Sequence, residues 1–431
     1  MKLILRRHAE DSYAPRTYNF IDPGADMGIY YSPMNNIKAG FGLSLKRDYL
    51  QATRDAFQQA QKNMEKETAD LAIVISSPEF AHSGTLSALK NFLGPATALI
   101  GASSRAVISN YGISKQSLGV LLLKLPQGAY CNAACIQKIK DREPHEAGEE
   151  LGEKLLRGFK GIRKDFGLIL SDMAPKENSG LIAGLQERLG LSFPLIGASL
   201  LDELNLFRPS IYFEQQPLKD SAAAIIIGGK LNFGVGVKHG WRPLGKPRLV
   251  TKSENNVVYE INGASATNLY EEYFNCDLAK LKKELARISV FYPVGIHVKE
   301  AQEYLLRSVA SIEDNGSLCF QGNIPEGSTI RLMIATKDSC LEATKYATRE
   351  ANSYLGGANA KLVLVFNSFS RYKLLGDDSA KDIDIIKGEF GENTPVIGLL
   401  SCGEQAPLAS IDYRGKAYFL NHSILVLVIG D

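Results

Sequence analysis

The sequence predicts an α/β fold: two domains with mixed β-sheets, built from repeated β-α-β-hairpin units, with helices packed on the sheets. The main observation is repetition. An apolar run ending in small polar residues, a helix-like segment and a strand closing on Ile-Gly occur in that order three times. Leu71–Ser77 leads to Leu99–Ser104, Leu168–Asp172 to Pro194–Ser199, and Leu362–Ser368 to Pro395–Ser401. A recurring pattern of this kind marks copies of one supersecondary unit. The second observation is length, since 431 residues exceed one typical core and imply two domains. The third is composition: 45% hydrophobic and 22% charged residues are globular values.

Residues 1–36 do not fit the repeat; they are rich in Tyr, Pro, Asp and Asn and read as an N-terminal extension. A first domain is expected over 37–275 and a second over 276–431. A strand at 37–44 precedes a helix from Asp48, a fitting N-cap, with Ala52, Ala56 and Ala60 at four-residue spacing. The first repeat's helix runs from Ser83 to Leu93 and is stopped by Gly94-Pro95. Ala106–Ser109 and Leu118–Leu125 then read as a hairpin. Leu151, Leu155, Leu156 and Phe159 give an amphipathic helix over 148–164.

The second repeat's helix is 179–189. Gly228-Gly229 predicts a tight turn between Ala222–Ile227 and Leu231–Val237. Another hairpin is expected at 248–253 and 257–261, followed by helices at 264–274 and 277–286. The second domain should hold a strand at Ile288–Tyr292, a hairpin around Asn315-Gly316, a strand at 329–334, and a helix from Ser339 to Tyr354 closed by Gly356-Gly357. Strand–helix–strand over such short spans implies right-handed parallel crossovers, and the hairpins add antiparallel strands.

Lys+Arg of 49 against Asp+Glu of 47 leaves no basic excess, which argues against nucleic-acid or membrane-surface binding. The longest apolar runs, such as Ile424–Ile429, are strand length, and Met1–His8 lacks the apolar region of a signal peptide. Six cysteines in so long a chain form no disulfide framework, so a reduced, cytoplasmic setting is expected. Cys131 and Cys135 have a spacing that suits one helix face, with no fourth ligand nearby; no metal or cofactor is expected.

Small polar residues end the repeat strands: Ser76-Ser77, Ser103-Ser104, Ser171-Asp172, Ser199, Asn367-Ser368 and Ser401. In open α/β sheets ligands bind beyond such ends, although these residue types also cap helices and turns. Lys238-His239-Gly240-Trp241-Arg242-Pro243 is the densest constellation and holds the only Trp. That Trp either stacks on a planar ligand or plugs an interface. Arg371 and Glu404 follow two strands and would pair with each other or with the carboxyl and amino groups of a ligand. No Walker loop, nucleophile elbow or dinucleotide fingerprint is present.

From Ile37 to Asp431 the chain resembles the FIST proteins (F-box and intracellular signal transduction), with FIST N and FIST C modules in tandem. The residues that carry the resemblance are Lys38–Ser44, Val237–Leu244, Val250-Thr251 and Val258–Gly263 in the first module. In the second they are Gly316-Ser317, Ile324–Gly327, Leu364–Phe366, Arg371, Leu375-Gly376, Val396–Gly398, Gly403-Glu404 and Asn421. Ser368 stands where the family commonly has Cys, and Cys402 where an aromatic residue is usual. The resemblance implies a sensory or signal-transduction module that binds a small polar ligand, such as an amino acid, without catalysis, and that acts through a protein partner or through self-association. The expected ligand residues are His239, Trp241, Arg371 (for an anionic group) and Glu404 (for a cationic one), with Ser103, Ser104 and Asp172 as further candidates. The alternatives are a protein-interaction scaffold with no small ligand and an unrecognised hydrolase, which needs a Ser or Cys beside a His.

Overall fold

In the computed structural model each repeat follows one plan, strand–helix–strand–helix–strand–hairpin–strand. The structure describes residues 36–159, 161–172, 175–200, 208–298, 304–407 and 415–431. The expected extension at 1–36 therefore lies almost wholly outside the described residues.

The first repeat comprises β1 (Lys38–Ser44), α1 (Tyr49–Asn63), β2 (Leu71–Ser76), α2 (Ser83–Leu93), β3 (Ala98–Ser103), the hairpin β4 (Val107–Ser109) and β5 (Gly112–Ser114), and β6 (Leu118–Lys124). The second comprises β7 (Tyr130–Gln137), α3 (Pro144–Leu156), β8 (Lys164–Ser171), α4 (Pro175–Leu189), β9 (Leu195–Ser199), the hairpin β10 (Ile211–Phe213) and β11 (Gln216–Leu218), and β12 (Ser221–Gly228).

The third opens with β13 (Asn232–Lys238) and is then interrupted by an insertion. That insertion holds β14 (Arg242–Glu254), β15 (Val257–Ile261), β16 (Ala264–Ser265), α5 (Asn268–Phe274), α6 (Leu278–Lys283), α7 (Leu285–Phe291), β17 (Val294–His297), β18 (Tyr304–Arg307), β19 (Val309–Ile312), β20 (Leu318–Phe320) and β21 (Thr329–Ile334). The repeat resumes with α8 (Lys337–Leu355), β22 (Ala360–Ser368), α9 (Phe369–Leu375), α10 (Lys381–Phe390), β23 (Val396–Ser401), the hairpin β24 (Gly403–Pro407) and β25 (Ala417–Leu420), and β26 (Ile424–Gly430).

The sheets show how the repeats lock together. Their orders are β1-β6-β2-β3-β10-β11, β7-β12-β8-β9-β24-β25 and β13-β26-β22-β23-β4-β5. Every repeat thus lends its hairpin to another repeat's sheet: the first to the third, the second to the first, the third to the second. The exchange closes into a cycle. Within each sheet the pair joined by a crossover is parallel, β2 with β3, β8 with β9 and β22 with β23, and the pairings to the last strand are antiparallel. The register matches too, with Ser76 opposite Ser103, Ser171 opposite Ser199 and Ser368 opposite Ser401. A fourth, eight-stranded sheet is formed by the insertion.

This is the mixed α/β architecture the repeat pattern predicts. Among the described residues, strands from both sides of residue 275 share three of the four sheets, and residues 35–431 cluster as one unit. Alternate strand residues explain the layers. Ile73, Leu121, Leu168, Ile225, Leu364 and Leu425 belong to one interior cluster shared by all sheets. Their neighbours pack under each repeat's own helices: Val74 and Val120 in the first, Ile169 and Ile226 in the second, Val365 and Val426 in the third.

Several local expectations are corrected. The segment 118–124 is not the hairpin partner of 107–109; it returns to its own sheet between β1 and β2, while β4 pairs with β5. Gly228-Gly229 does not turn a hairpin either. β12 pairs with β7 and β8 and β13 with β26, so these glycines carry the chain from one sheet to another. Cys131 and Cys135 lie on β7 rather than on a helix, and Ile288–Phe291 is helical, with Ile288 buried. The hairpin of β14 and β15 forms as expected, and so do the Asp48 N-cap, whose carboxylate accepts the Gln51 N–H at 2.9 Å, and the helix ending at Gly356.

Candidate functional site

The chain departs from the body of the third repeat after Lys238 and rejoins it at Lys337, and the two ends of this insertion meet in one cleft. In the first two repeats the same strand-to-helix link is a few residues long, 45–48 and 138–143. Gly240, at φ +88°, makes the turn out of β13; a Cβ there would come within 2.7 Å of the Ser339 carbonyl oxygen, so the chain can pass this close to α8 only as glycine. The cleft has a volume of about 280 Å³, and its walls include His239, Trp241, Arg242, Tyr304, Glu342 and Tyr346. Ser339, Glu342 and Tyr346 come from one face of α8, whose N-cap Thr336 forms a capping box with Ser339. At the rim the Arg242 guanidinium donates to the Glu342 carboxylate at 3.3 Å; both are well exposed, so the pair is weak and exchangeable.

Beneath the cleft lies a closed polar network. Arg371 is fully buried and its guanidinium is engaged on every side. Nε donates to Asn367 Oδ1 at 3.0 Å and Nη1 to the His239 carbonyl at 3.1 Å. Nη2 donates to the Cys340 carbonyl at 3.1 Å, to Thr344 Oγ1 at 2.7 Å and to Asp382 Oδ1 at 3.2 Å. Asp382, also fully buried, accepts from Thr344 Oγ1 at 2.6 Å and Asn367 Nδ2 at 2.9 Å. One ion pair therefore joins β22, α8, α10 and the cleft floor. Arg371 holds His239 from below, and its partner is Asp382, not Glu404.

Glu404 is likewise fully buried; it accepts from Ser401 Oγ at 2.5 Å, Ser423 Oγ at 2.5 Å and Ser423 N–H at 3.2 Å. Burial pushes its carboxyl up to about 7, against the opposing pull of those serine bonds. Next to it in the chain from Ser423 stands His422, buried and at φ +60°, a left-handed conformation uncommon outside glycine. Its ring centroid is 4.6 Å from that of Trp241. Trp241 is itself fixed by its backbone N–H donating to His239 Nδ1 at 2.9 Å and its indole N–H donating to the Phe291 carbonyl at 3.3 Å. The four first-choice residues thus come together, His239 and Trp241 in the cleft wall, Arg371 and Glu404 behind it.

Ser103, Ser104 and Asp172 lie elsewhere on the strand rims, as caps. Ser103 Oγ accepts the Ser210 N–H at 2.7 Å, and Ser104 Oγ donates to the Leu400 carbonyl at 3.0 Å. Asp172, raised in pKa chiefly by burial, accepts the N–H groups of Asp220 at 2.7 Å and Ser221 at 2.6 Å. The Ser-His pair that a hydrolase needs does exist: Ser308 Oγ and His422 Nε2 are 2.6 Å apart. Burial, however, lowers His422 to about 3, and its Nδ1 has no hydrogen-bond partner among the described residues, so no carboxylate orients the ring as a base. Burial likewise pushes the Cys131 thiol up to about 12 and that of Cys340 up to about 11, which keeps both protonated. No cluster of metal-ligating side chains occurs among the described residues.

Sequence reasoning missed Glu342, Tyr346, Tyr304 and His422. Glu342 and Tyr346 had a usable signal in their (i, i+4) spacing after an N-cap; His422 had none.

Opposite pH slopes follow from the two buried groups. Glu404 is raised above its ordinary 4.5, so it costs stability as pH rises from there through about 7. His422 is lowered below its ordinary 6.5, so it costs stability as pH falls from there toward about 3. Glu404→Gln removes the first slope alone. In urea denaturation the variant should gain about 3 kcal/mol on wild type between pH 4.5 and pH 8, the free-energy equivalent of that rise. A difference between variant and wild type that stays constant with pH would contradict the assignment.

The FIST N domain model matches residues 70–264 and the FIST C domain model residues 266–407. The chain belongs to the FIST family. FIST domains are associated with sensory and signal-transduction modules. An uncharacterized protein of Methanocaldococcus jannaschii is 27% identical over 256 residues, which covers 56% of this chain and 49% of the relative. The FIST chain described here thus spans about half the length of that curated relative. Among solved structures, one described as a cyanuric acid hydrolase arising by structural concatenation aligns with 92% of this chain and 100% of its own, at 11% identity and a TM-score of 0.31. A likeness that low carries no argument about fold or activity here. Among the described residues, no helix is long and apolar enough to cross a membrane.

Proposed function

We propose that this FIST protein is a sensory module whose cleft at the root of the insertion binds a small zwitterionic metabolite of amino-acid size. One observation carries the reading: the two ends of the inserted sheet wall a concave site that has aromatic faces and an exchangeable rim ion pair. At about 280 Å³ the cleft is near the lower end of small-molecule sites, which favours an amino acid over a nucleotide. Arg242 releases Glu342 to take the ligand carboxylate, a bond between charged groups. Tyr304 and Tyr346 offer aromatic surface to the remainder, and Trp241, only 3% exposed and packed with Leu306, Met333, Cys340 and Leu375, backs the wall behind them. Binding at the root of the insertion fixes the fourth sheet against the body, which is a change that a protein partner can read. Arg371 acts through the floor it supports, and the expected roles of Arg371 and Glu404 as direct ligand contacts pass to cleft residues.

Thermal-shift measurements with the free amino acids test this. At about 100 times Kd a ligand adds about 3 kcal/mol and raises Tm. Arg242→Glu, a change at an exposed rim position, should weaken binding by about tenfold or more with an unchanged Tm of the free protein. The reading fails if no amino acid shifts Tm, or if Arg242→Glu binds as wild type does; a scaffold with no small ligand would behave in that way.

A further inference from the structure

The cleft does not end at Tyr304. A second, much smaller gap of about 10 Å³ lies behind it, and Lys238, His239 and Tyr304 border both spaces. The gap's inner wall includes Asn421 and Ser423. We propose that this gap is an ammonium subsite, which accepts the –NH3+ group of a primary amine on Asn421 Oδ1 and Ser423 Oγ. The proposal rests on the cleft reading above only for the rest of the ligand.

Size, hydrogen-bond polarity and charge agree. The volume admits one water-sized group, and an ammonium has that size. Asn421 is only 3% exposed, yet its Oδ1 has no hydrogen-bond partner among the described residues. Its Nδ2 reaches the Gln321 Oε1 and Cys402 carbonyl at 3.5 Å each, and this orients the amide so that the oxygen is left over. A buried carbonyl oxygen without a donor is costly, and an entering N–H donor removes that cost. Ser423 gives its hydroxyl hydrogen to Glu404, so toward the gap it can only accept. Asn421 and Ser423 thus bring two acceptors to the border of this space, which they share with Lys238, His239 and Tyr304. Lys238, the nearest cation on the gap's border, has its Nζ 3.5 Å from Glu350 Oε2 on α8. The Glu404 carboxylate lies directly behind Ser423 and supplies the counter-charge, while Arg371 is already balanced by Asp382. A primary ammonium fits; a trimethylated nitrogen is too large and has no N–H, and an acylated one is uncharged, keeps a single N–H and carries an acyl group too large for the gap.

Trp241, the chain's only Trp, touches His422 between these two acceptors in the sequence and so reports on occupancy. The experiment titrates the full chain at pH 8, where Glu404 is ionised, with methylammonium chloride and follows Trp fluorescence; tetramethylammonium chloride is the control. Methylammonium should give a saturable change and tetramethylammonium none. Asn421→Leu should lose at least tenfold in affinity, and the isosteric Asn421→Asp, which keeps the acceptor, should retain it. Equal responses to the two salts, or an undiminished response in Asn421→Leu, would overturn the subsite. Free amino acids and their N-acetyl forms separate this proposal from the previous one. Equal binding of both forms removes the subsite and leaves the cleft reading intact. A methylammonium response without amino-acid binding removes the cleft reading and leaves the subsite.

Discussion

Arg371→Ala should destabilise the protein by about 3–5 kcal/mol and abolish ligand binding in the cleft. The reason is the partner left behind. Asp382 is fully buried, and its charge is balanced by Arg371 at 3.2 Å. Removing the guanidinium strands a carboxylate in the interior, which is far more costly than deleting the pair. The His239 carbonyl and the Asn367 side-chain oxygen lose the Arg371 donor in the same step, and the Cys340 carbonyl keeps its bond from Thr344 Oγ1. Because the His239 carbonyl is one of those acceptors, the floor of the cleft is released as well, and Trp241, held by His239 Nδ1, moves with it. Chemical denaturation followed by Trp fluorescence reads both effects. The double variant Arg371→Ala with Asp382→Ala should recover part of the loss, since it no longer buries an unpaired charge. A loss below about 1 kcal/mol in the single variant would mean that the network contributes little.

Gly236→Ala should also destabilise the protein, for a steric reason. β13 runs beneath α8, where Gly234 and Gly236 face the backbone carbonyls of Ala351 and Ala347. A methyl group at Gly236 would overlap the Ala347 carbonyl oxygen, which is backbone and cannot rotate away. Either the helix lifts or the strand bends, and overpacking of this kind costs about 1–3 kcal/mol. The first repeat is built in the same way: Gly40 and Gly42 face Ala60 and Ala56 on α1. Lifting α8 displaces Thr344 from Arg371 and Glu342 from the cleft, so affinity for the ligand should fall together with stability. Gly388→Ala is the matched control. It is a helical, exposed position with open space around its Cβ, and it should stabilise by about 0.5–1 kcal/mol. Equal effects from the two substitutions would show that backbone entropy, not the helix contact, decides the outcome.

The repeat was legible because each copy spells the same apolar run and Ile-Gly closure, and because helix signals such as Asp48, Gly94 and Gly356 act locally. Strand partners were not legible. Val107–Ser109 is three residues long, and nothing in so short a strand says that it will leave its own repeat for β23. The hairpin exchange is a property of three sheets meeting, and no single segment encodes it. Ile288–Phe291 has the β-branched, apolar character of a strand, yet the chain turns it into a helix that buries Ile288 against the inserted sheet. The site divides in the same way. Lys238–Pro243 stood out because a lone Trp among charges follows a strand. Glu342, Tyr346 and Tyr304 join it only because the insertion returns to its starting point, which makes residues far apart in the chain neighbours. Arg371 and Glu404 were read as two ions at strand ends that would pair with each other or with a ligand, but each is fully buried and bonded to other groups, Arg371 to Asp382 and Glu404 to Ser401 and Ser423. The pattern of charges showed two ions near strand ends and did not show that Asp382 had already claimed one of them.

The most direct measurement is the crystal structure of the protein with the amino acid that gives the largest thermal shift. Ligand density should fill the cleft against Tyr304 and Tyr346, with the carboxylate on Arg242, the Arg242–Glu342 contact broken and the amino group turned inward under Tyr304. Density at another place, for instance in the larger hollow of about 670 Å³ beside Lys164 and Phe193, with the cleft residues unchanged, would contradict the account.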